Sequence, residues 1–549
     1  MRRSILLAAL VVLTLLSCTA PLERPRRAAA PGGPTDAPGG NPPASGIFWP
    51  EDQALPSFGE AQHLEVANVD AAPGDVQLLF ATLEGIVNRQ RPRIFLIQDG
   101  YENEQGTYWL DELGVPFTVH RGPWSILALF VSEIRGMIVY DPEVPASINV
   151  ATTMAGLSDA VVVSSALSER LRARYGLEVL SDLRGRFVDD ADAYRWQYEH
   201  LWPRATHRML IGVRSLIQGA PFGAIRDYAV ANRAMVVWLD PTDPVERDLL
   251  ERILADVEPN TPYLGWFPSY GEGEIAGIEL LSTYGVYTLG ADTFQNMTVF
   301  SSPCCRDVGA PPPPPPVPPL ADKIYVTFTL SEGDNLQYDQ IRMREAWDEP
   351  ERGRVPMNWT IAPLLWDAAP AILRYYLRTA TPNDLLMAGP SGAGYASPTP
   401  WPDDSFGGFT EMSARYMRRF GLETIWIADW VGGDFGRMSA AEAQRYIDDV
   451  RPAGIMLQAW WPSTESTLLN GSLPQSILSV VGGVRWALRA IRDTTAGWDG
   501  TSPMFLSIGI NTWEMSPADV VRIADSLGPE FVVVRADQYF ELIRQAHAG

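Results

Sequence analysis

Cysteine is almost missing from this chain: Cys18, Cys304 and Cys305 are the only three in 549 residues. Cys304 and Cys305 are adjacent and close on each other only as a strained ring, so no disulfide framework supports the fold. Histidine is nearly as scarce, and after the proline-rich stretch near residue 315 only His547 remains. A Ser-His-Asp triad and a His-rich zinc site are therefore excluded from the C-terminal half. Positive charge is in deficit, with 43 Lys and Arg against 66 Asp and Glu and a net charge of -23. Nucleic acid and anionic membrane surfaces are poor partners for such a chain. No G-x-G-x-x-G follows a strand-like run, so no nucleotide site is read, and no cofactor is expected.

Long apolar runs are also lacking, apart from Ile5 to Leu16. Behind Arg2 and Arg3, that run has the length of a signal-peptide core and is short for a membrane span. Leu15-Leu16-Ser17-Cys18 reads as a lipobox with Cys18 as the lipidated residue, an uncut signal anchor being the alternative. Residues 1–18 are thus expected to be a lipoprotein signal peptide, and residues 19–46 a tether of Pro, Ala, Gly and Arg too poor in apolar side chains to fold. The expected location is extracytoplasmic, on a bacterial membrane held only through the lipid, or secreted if the lipobox is not used.

What is present divides at Ala310–Pro319, whose six consecutive prolines form a polyproline II spacer. The boundaries predicted are an N-terminal α/β domain over 47–308, a linker over 309–320 and a C-terminal domain over 321–549. The N-terminal half alternates runs such as Ile94–Ile97, Gly136–Tyr140, Ala160–Val163 and Ala234–Leu239 with amphipathic stretches, which predicts a mostly parallel sheet. The C-terminal half has eight apolar runs with helical patterns between them: Ile324–Leu330, Pro356–Ala362, Leu385–Ala388, Thr424–Ala428, Gly454–Ala459, Ile477–Val481, Met504–Ile510 and Phe531–Val534. This rhythm predicts a TIM-like (β/α) barrel of seven or eight strands, the sixth run being the weakest, with a doubly wound open sheet as the alternative.

Reacting groups in such a barrel lie just past the C-terminal ends of the strands. Those positions hold Ser331-Glu332-Gly333-Asp334-Asn335, Trp366-Asp367, Asp429-Trp430, Trp460-Trp461, Trp513-Glu514 and Arg535-Ala536-Asp537. Paired carboxylates are what glycosidic cleavage needs, one to protonate the leaving oxygen and one to attack or activate water. Indoles offer flat faces for sugar rings, and 11 of the 18 tryptophans lie from Trp347 onward. The bland reading is that post-strand carboxylates cap helices and in-strand tryptophans fill the core. Glu332, Asp334 and Asn335 lack the spacing of a Ca²⁺ loop, so no metal site is predicted. The loop Gly389-Pro390-Ser391-Gly392-Ala393-Gly394-Tyr395 permits tight turns that bring backbone near a ligand and hold Tyr395 over the cleft.

At Gly392-Ala393-Gly394-Tyr395-Ala396-Ser397-Pro398 the chain resembles the GxGYxYP family of glycoside hydrolases, with Ser397 where the pattern has its second tyrosine. Ser331–Asn335 resembles the family's S-D-G-D-N segment, with Glu332 in the Asp place, and Val534–Asp537 resembles its closing V-R-P-D. Thr82–Arg89 and Arg226-Asp227-Tyr228 resemble its N-terminal companion. The resemblance spans about residues 48–545 and implies a barrel-like C-terminal domain with a role in carbohydrate processing. The expected catalytic pair is Asp429 and Glu514, with Asp334 as third candidate. The expected sugar contacts are Tyr395, Trp430, Trp513, Trp461, Gly392, Gly394, Asn335 and Asp537. A glycoside hydrolase acting on extracellular poly- or oligosaccharide is the leading expectation, and a non-catalytic carbohydrate-binding lipoprotein the alternative.

Overall fold

The computed structural model describes residues 48–98, 105–215, 223–269, 271–302 and 308–548. The expected leader and tether, with Cys18, and the Cys304-Cys305 pair lie outside the described residues.

The apolar runs of the N-terminal half become parallel strands, divided among three small sheets rather than one. Leu64–Asn68 lies between Ile94–Ile97 and Phe117–Val119. Gly136–Val139 lies between Ala160–Val163 and Val179–Asp182. The third sheet runs Tyr287–Leu289, Pro262–Gly265, Thr206–Gly212, Ala234–Val237. The division has a cause in the helix Gly74–Asn88, which is buried almost throughout from Val76 to Asn88. A helix apolar on all faces packs between layers instead of covering one. Its Thr82 Oγ1 accepts from Val162 N of the second sheet at 3.1 Å, and its Asn88 donates to Ile94 O of the first at 2.9 Å.

The C-terminal half is a closed parallel barrel. Its strands are β1 (Ile324–Leu330), β2 (Met357–Ile361), β3 (Asp384–Ala388), β4 (Thr424–Ile427), β5 (Gly454–Gln458), β6 (Leu473–Val481) and β7 (Met504–Ile510). They pair in that order, β7 returns to β1, and β1 meets β2 through Thr329 and Leu330. Seven strands close the ring. The weakest predicted run, the sixth, belongs to the nine-residue β6. The eighth run forms β8 (Phe531–Val533), which pairs only with Ile324–Val326 at the start of β1.

Alternation along the strands sends one set of residues inward. Tyr325, Met387, Trp426, Met456, Leu478 and Phe505 gather with Tyr539, Phe540 and Ile543 of the C-terminal helix Ala536–Ala548. That helix seals the N-terminal end of the barrel. The proline run is tied to the same end, where Gln538 Nε2 donates to Pro316 O at 2.8 Å and Tyr325 Oη to Pro319 O at 3.1 Å. With one end plugged, the C-terminal rim is the end where a site is to be sought.

Candidate active site

The chain leaves β1 through Ser331 and turns back sharply at Glu332, whose φ is +83°. A side chain in this left-handed region costs on the order of 1 kcal/mol and is held only by its surroundings. Gly333 makes the turn possible: a Cβ there would lie 1.7 Å from Thr360 O of β2. Its N–H donates to Thr360 Oγ1 at 2.9 Å. The turn aims Glu332, Asp334 and Asn335 over the C-terminal rim.

Glu332 Oε2 accepts from Trp513 Nε1 at 2.9 Å, and Oε1 from Ser331 Oγ at 3.1 Å. Asn335 Nδ2 lies 3.4 Å from Glu332 Oε2 and 3.5 Å from Asp334 Oδ1. Asp334 is only 7% exposed. Among the described residues, its Oδ2 takes no hydrogen bond from another side chain. A third carboxylate comes from the N-terminal half. Glu274, near the start of helix α1 (Glu272–Thr283), accepts from Tyr395 Oη at 3.3 Å, and Tyr395 Oη accepts from Trp430 Nε1 at 2.7 Å. Glu274 and Glu332 stay half-buried.

Burial and neighbouring acids set the electrostatics. Asp334 is pushed well above the usual carboxylate range by desolvation, then by the charges of Glu332 and Glu274. Glu274 is raised to about 7 by burial and by Glu332, against the opposing Tyr395 hydrogen bond. Glu332 is raised by burial, opposed by the hydrogen bonds from Trp513 and Ser331. Burial and mutual repulsion thus oppose the ionisation of the three acids together. Asp339, fully buried near Asp334, is raised by desolvation as well, opposed by the Ala362 backbone N–H. Among the described residues, no group of three His, Cys, Asp or Glu is arranged to hold a metal ion.

The remaining predicted residues fall in different places. Trp513 is 55% exposed and packs edge-on against Tyr338. Trp461 is 76% exposed. Trp430 is buried and stacks on Phe435, with centroids 4.0 Å apart, and Phe435 in turn meets the half-exposed Trp460. Gly392 and Gly394 let the loop pass close to Ser413 and Tyr287. The neighbouring amides are already used: Ala393 N donates to Ser413 Oγ, and Tyr395 N to Thr288 O. This loop positions Tyr395 and does not cradle a ligand with its backbone. Ser397 is fully buried, its Oγ accepting from Trp430 N at 2.9 Å, so that position presents no face to a sugar.

Asp429 and Glu514 are not drawn into the carboxylate group. Asp429 is fully buried and accepts from Thr399 N at 3.0 Å and Thr399 Oγ1 at 2.6 Å. The acids that act on it are Glu442 and Glu279. Glu514 is exposed and lies against Gly482, past the end of β6. Asp537 lies at the opposite end of the barrel. Because β8 pairs only with the first three residues of β1, its chain turns about 13 Å short of the rim. There Asp537 Oδ2 pairs with Arg535 Nη2 at 2.5 Å, and Arg535 donates to Pro382 O ahead of β3. Asp367, another post-strand acid, holds the Ala54 and Leu55 amides and Tyr416.

Sequence reasoning missed Glu274 and gave Glu332 no catalytic role. Glu332 carries the signal of its motif. Glu274 carries none, since nothing local links a helix start before the proline run to a barrel rim after it.

A closed parallel barrel, plugged at one end and carrying a group of carboxylates and exposed indoles at the other, defines a barrel protein with α/β units against its C-terminal rim. The chain belongs to the GxGYxYP family. Residues 322–544 match the domain described as "GxGYxYP putative glycoside hydrolase C-terminal domain", residues 134–205 the second domain of the N-terminal part and residues 213–302 the third. Among solved structures the chain is similar to a putative hydrolase from Bacteroides thetaiotaomicron VPI-5482. The TM-score is 0.78 at 20% identity, covering 91% of this chain and 99% of that one, a likeness of fold. A UDP-glucosyltransferase from Polygonum tinctorium, at 12% identity over 89% of this chain and 95% of its own, has a TM-score of 0.15 and carries no argument. No curated protein matches the chain. Family and site together support a hydrolase-like function.

Proposed function

We propose that the barrel rim hydrolyses a glycosidic bond in an extracellular poly- or oligosaccharide, with Glu332 as the charged carboxylate and Asp334 as the proton donor. The observation that carries this reading is the contrast between two acids two residues apart on one turn. Glu332 has both oxygens served by donors, Trp513 Nε1 and Ser331 Oγ, which favour its ionised form. Asp334 is over nine-tenths buried, with one long contact to Asn335, which favours its neutral form. Environments that drive two carboxyl groups apart assign acid and base. The exposed face of Trp513, anchored by its bond to Glu332, lies where a sugar ring would stack. The lipoprotein leader read at Cys18 would place this activity outside the cytoplasm.

The test is a screen of the protein without its leader against a panel of glycans, with E332Q and D334N alongside. Acid–base roles contribute about 10²- to 10⁴-fold, so each variant should lose at least about a hundredfold in kcat/KM while staying folded. Cleavage undiminished in both discards this pair. Binding without turnover across the panel favours the carbohydrate-binding protein instead.

A further inference from the structure

The N-terminal half does more than pack beside the barrel. Thr288 and Tyr395 exchange backbone hydrogen bonds of 2.9 and 2.8 Å, which ties the edge strand Tyr287–Leu289 to the glycine loop. Gly290 is bridged to Asn335 in the turn that carries Asp334. Helix α1 grips a third rim loop, since Glu279 accepts from the N–H groups of Gly432 and Gly433 at 2.7 and 3.1 Å. Three rim segments are thus held by one edge of the N-terminal half, and Glu274 projects from that edge onto the Tyr395 hydroxyl. The charged and titratable groups facing it are Glu332 and Asp334 from the turn after β1, and Tyr395 from the glycine loop. No Arg or Lys forms an ion pair with it among the described residues. The nearby Asp334 is 7% exposed, and among the described residues its Oδ2 has no hydrogen-bond donor from another residue, which leaves that oxygen free for an incoming group.

We infer that Glu274 is a third working carboxylate of the barrel site, a positioning residue supplied by the N-terminal half that acts on Asp334 and Glu332 through its charge and holds the Tyr395 hydroxyl beside them. It rests on the hydrolase reading above and extends it: the site is incomplete without the N-terminal half. A companion domain that only stabilised the barrel would be stitched to the rim without placing an ionisable group among its acids.

The experiment uses the full chain without its leader and compares E274Q with E272Q, an exposed acid at the start of the same helix. Carboxyl titration is followed by difference infrared spectroscopy, and a pH–rate profile is recorded on any glycan the panel shows to be cleaved. E274Q keeps the size of the side chain and removes a negative charge beside Asp334. It should abolish one titration and also move a second carboxyl titration to lower pH. The alkaline limb of the rate profile should move the same way, with about a tenfold loss at its upper end for each unit moved. E272Q should leave both unchanged. A difference spectrum that shows only the lost group, with no second carboxyl displaced, overturns the inference. If the wild-type protein cleaves nothing, the hydrolase reading falls by itself, and the infrared result still decides whether Glu274 is coupled to the rim acids.

Discussion

At the N-terminal end of the barrel, Asp384 accepts from Arg352 Nη1 at 2.5 Å, Thr381 N at 2.8 Å and Trp359 Nε1 at 3.0 Å, while Asp537 is paired with Arg535. At the C-terminal rim, Glu274, Glu332 and Asp334 face one another, and no Arg or Lys forms an ion pair with them among the described residues. The same side-chain chemistry serves two purposes according to its company. Compensated carboxylates at the plugged end fasten strand starts to helices. Uncompensated ones at the rim raise each other's proton affinity, which weakens the fold and, on the proposed reading, prepares acid–base chemistry.

This contrast is broken most forcefully at the plugged end. D384A leaves Arg352, 14% exposed at its side chain, without its buried partner and should cost about 3–5 kcal/mol in denaturant unfolding. D334N replaces a buried acid whose surroundings favour its neutral form with a neutral amide, and should leave stability unchanged or raised. Equal losses in the two variants would erase the distinction between the ends.

A finer test uses pH. Glu274 titrates at about 7 in the folded protein, above the ordinary value for a carboxyl group. An acid that binds its proton more tightly when folded lends stability that is fully present below its unfolded pKa and is lost as pH rises through the folded one. Melting temperature should therefore fall as pH rises from the ordinary carboxyl range to about 7, and E274Q should flatten that slope. The smallest effect expected is at Trp513. Stacking contributes about 0.5–1.5 kcal/mol, so W513A should raise KM by about two- to tenfold, beyond any change in kcat from its lost bond to Glu332. An unchanged KM would remove the indole from the sugar-binding surface.

The barrel was largely legible because its apolar runs recur at regular spacing, and that regularity reflects burial on both faces of parallel strands. The sixth run looked weak because Pro474, Gln475 and the half-buried Ile477 interrupt the pattern of what is the longest strand of the ring. The eighth looked like a barrel strand because composition does not say how far along its neighbour a strand pairs. The division of the N-terminal half into three sheets was hidden because helix and strand runs do not reveal which layers a buried helix separates.

The site was half legible. Asp334, Asn335, Tyr395 and Trp513 follow strands and converge at the rim. Asp429 follows a strand too, but Thr399, thirty residues earlier, satisfies both its oxygens, and such a partner is invisible to a strand-end rule. Glu274 reaches the rim only because the N-terminal half docks there, and no local pattern encodes docking.

The central claim is that unpaired acids at the rim act and paired acids at the plugged end do not. It is tested most directly by kcat/KM on a cleaved glycan for D334N beside D537N, each normalised to folded protein. The account predicts a loss of at least about a hundredfold for D334N and wild-type turnover per folded molecule for D537N. Full activity in D334N together with loss in D537N would contradict it.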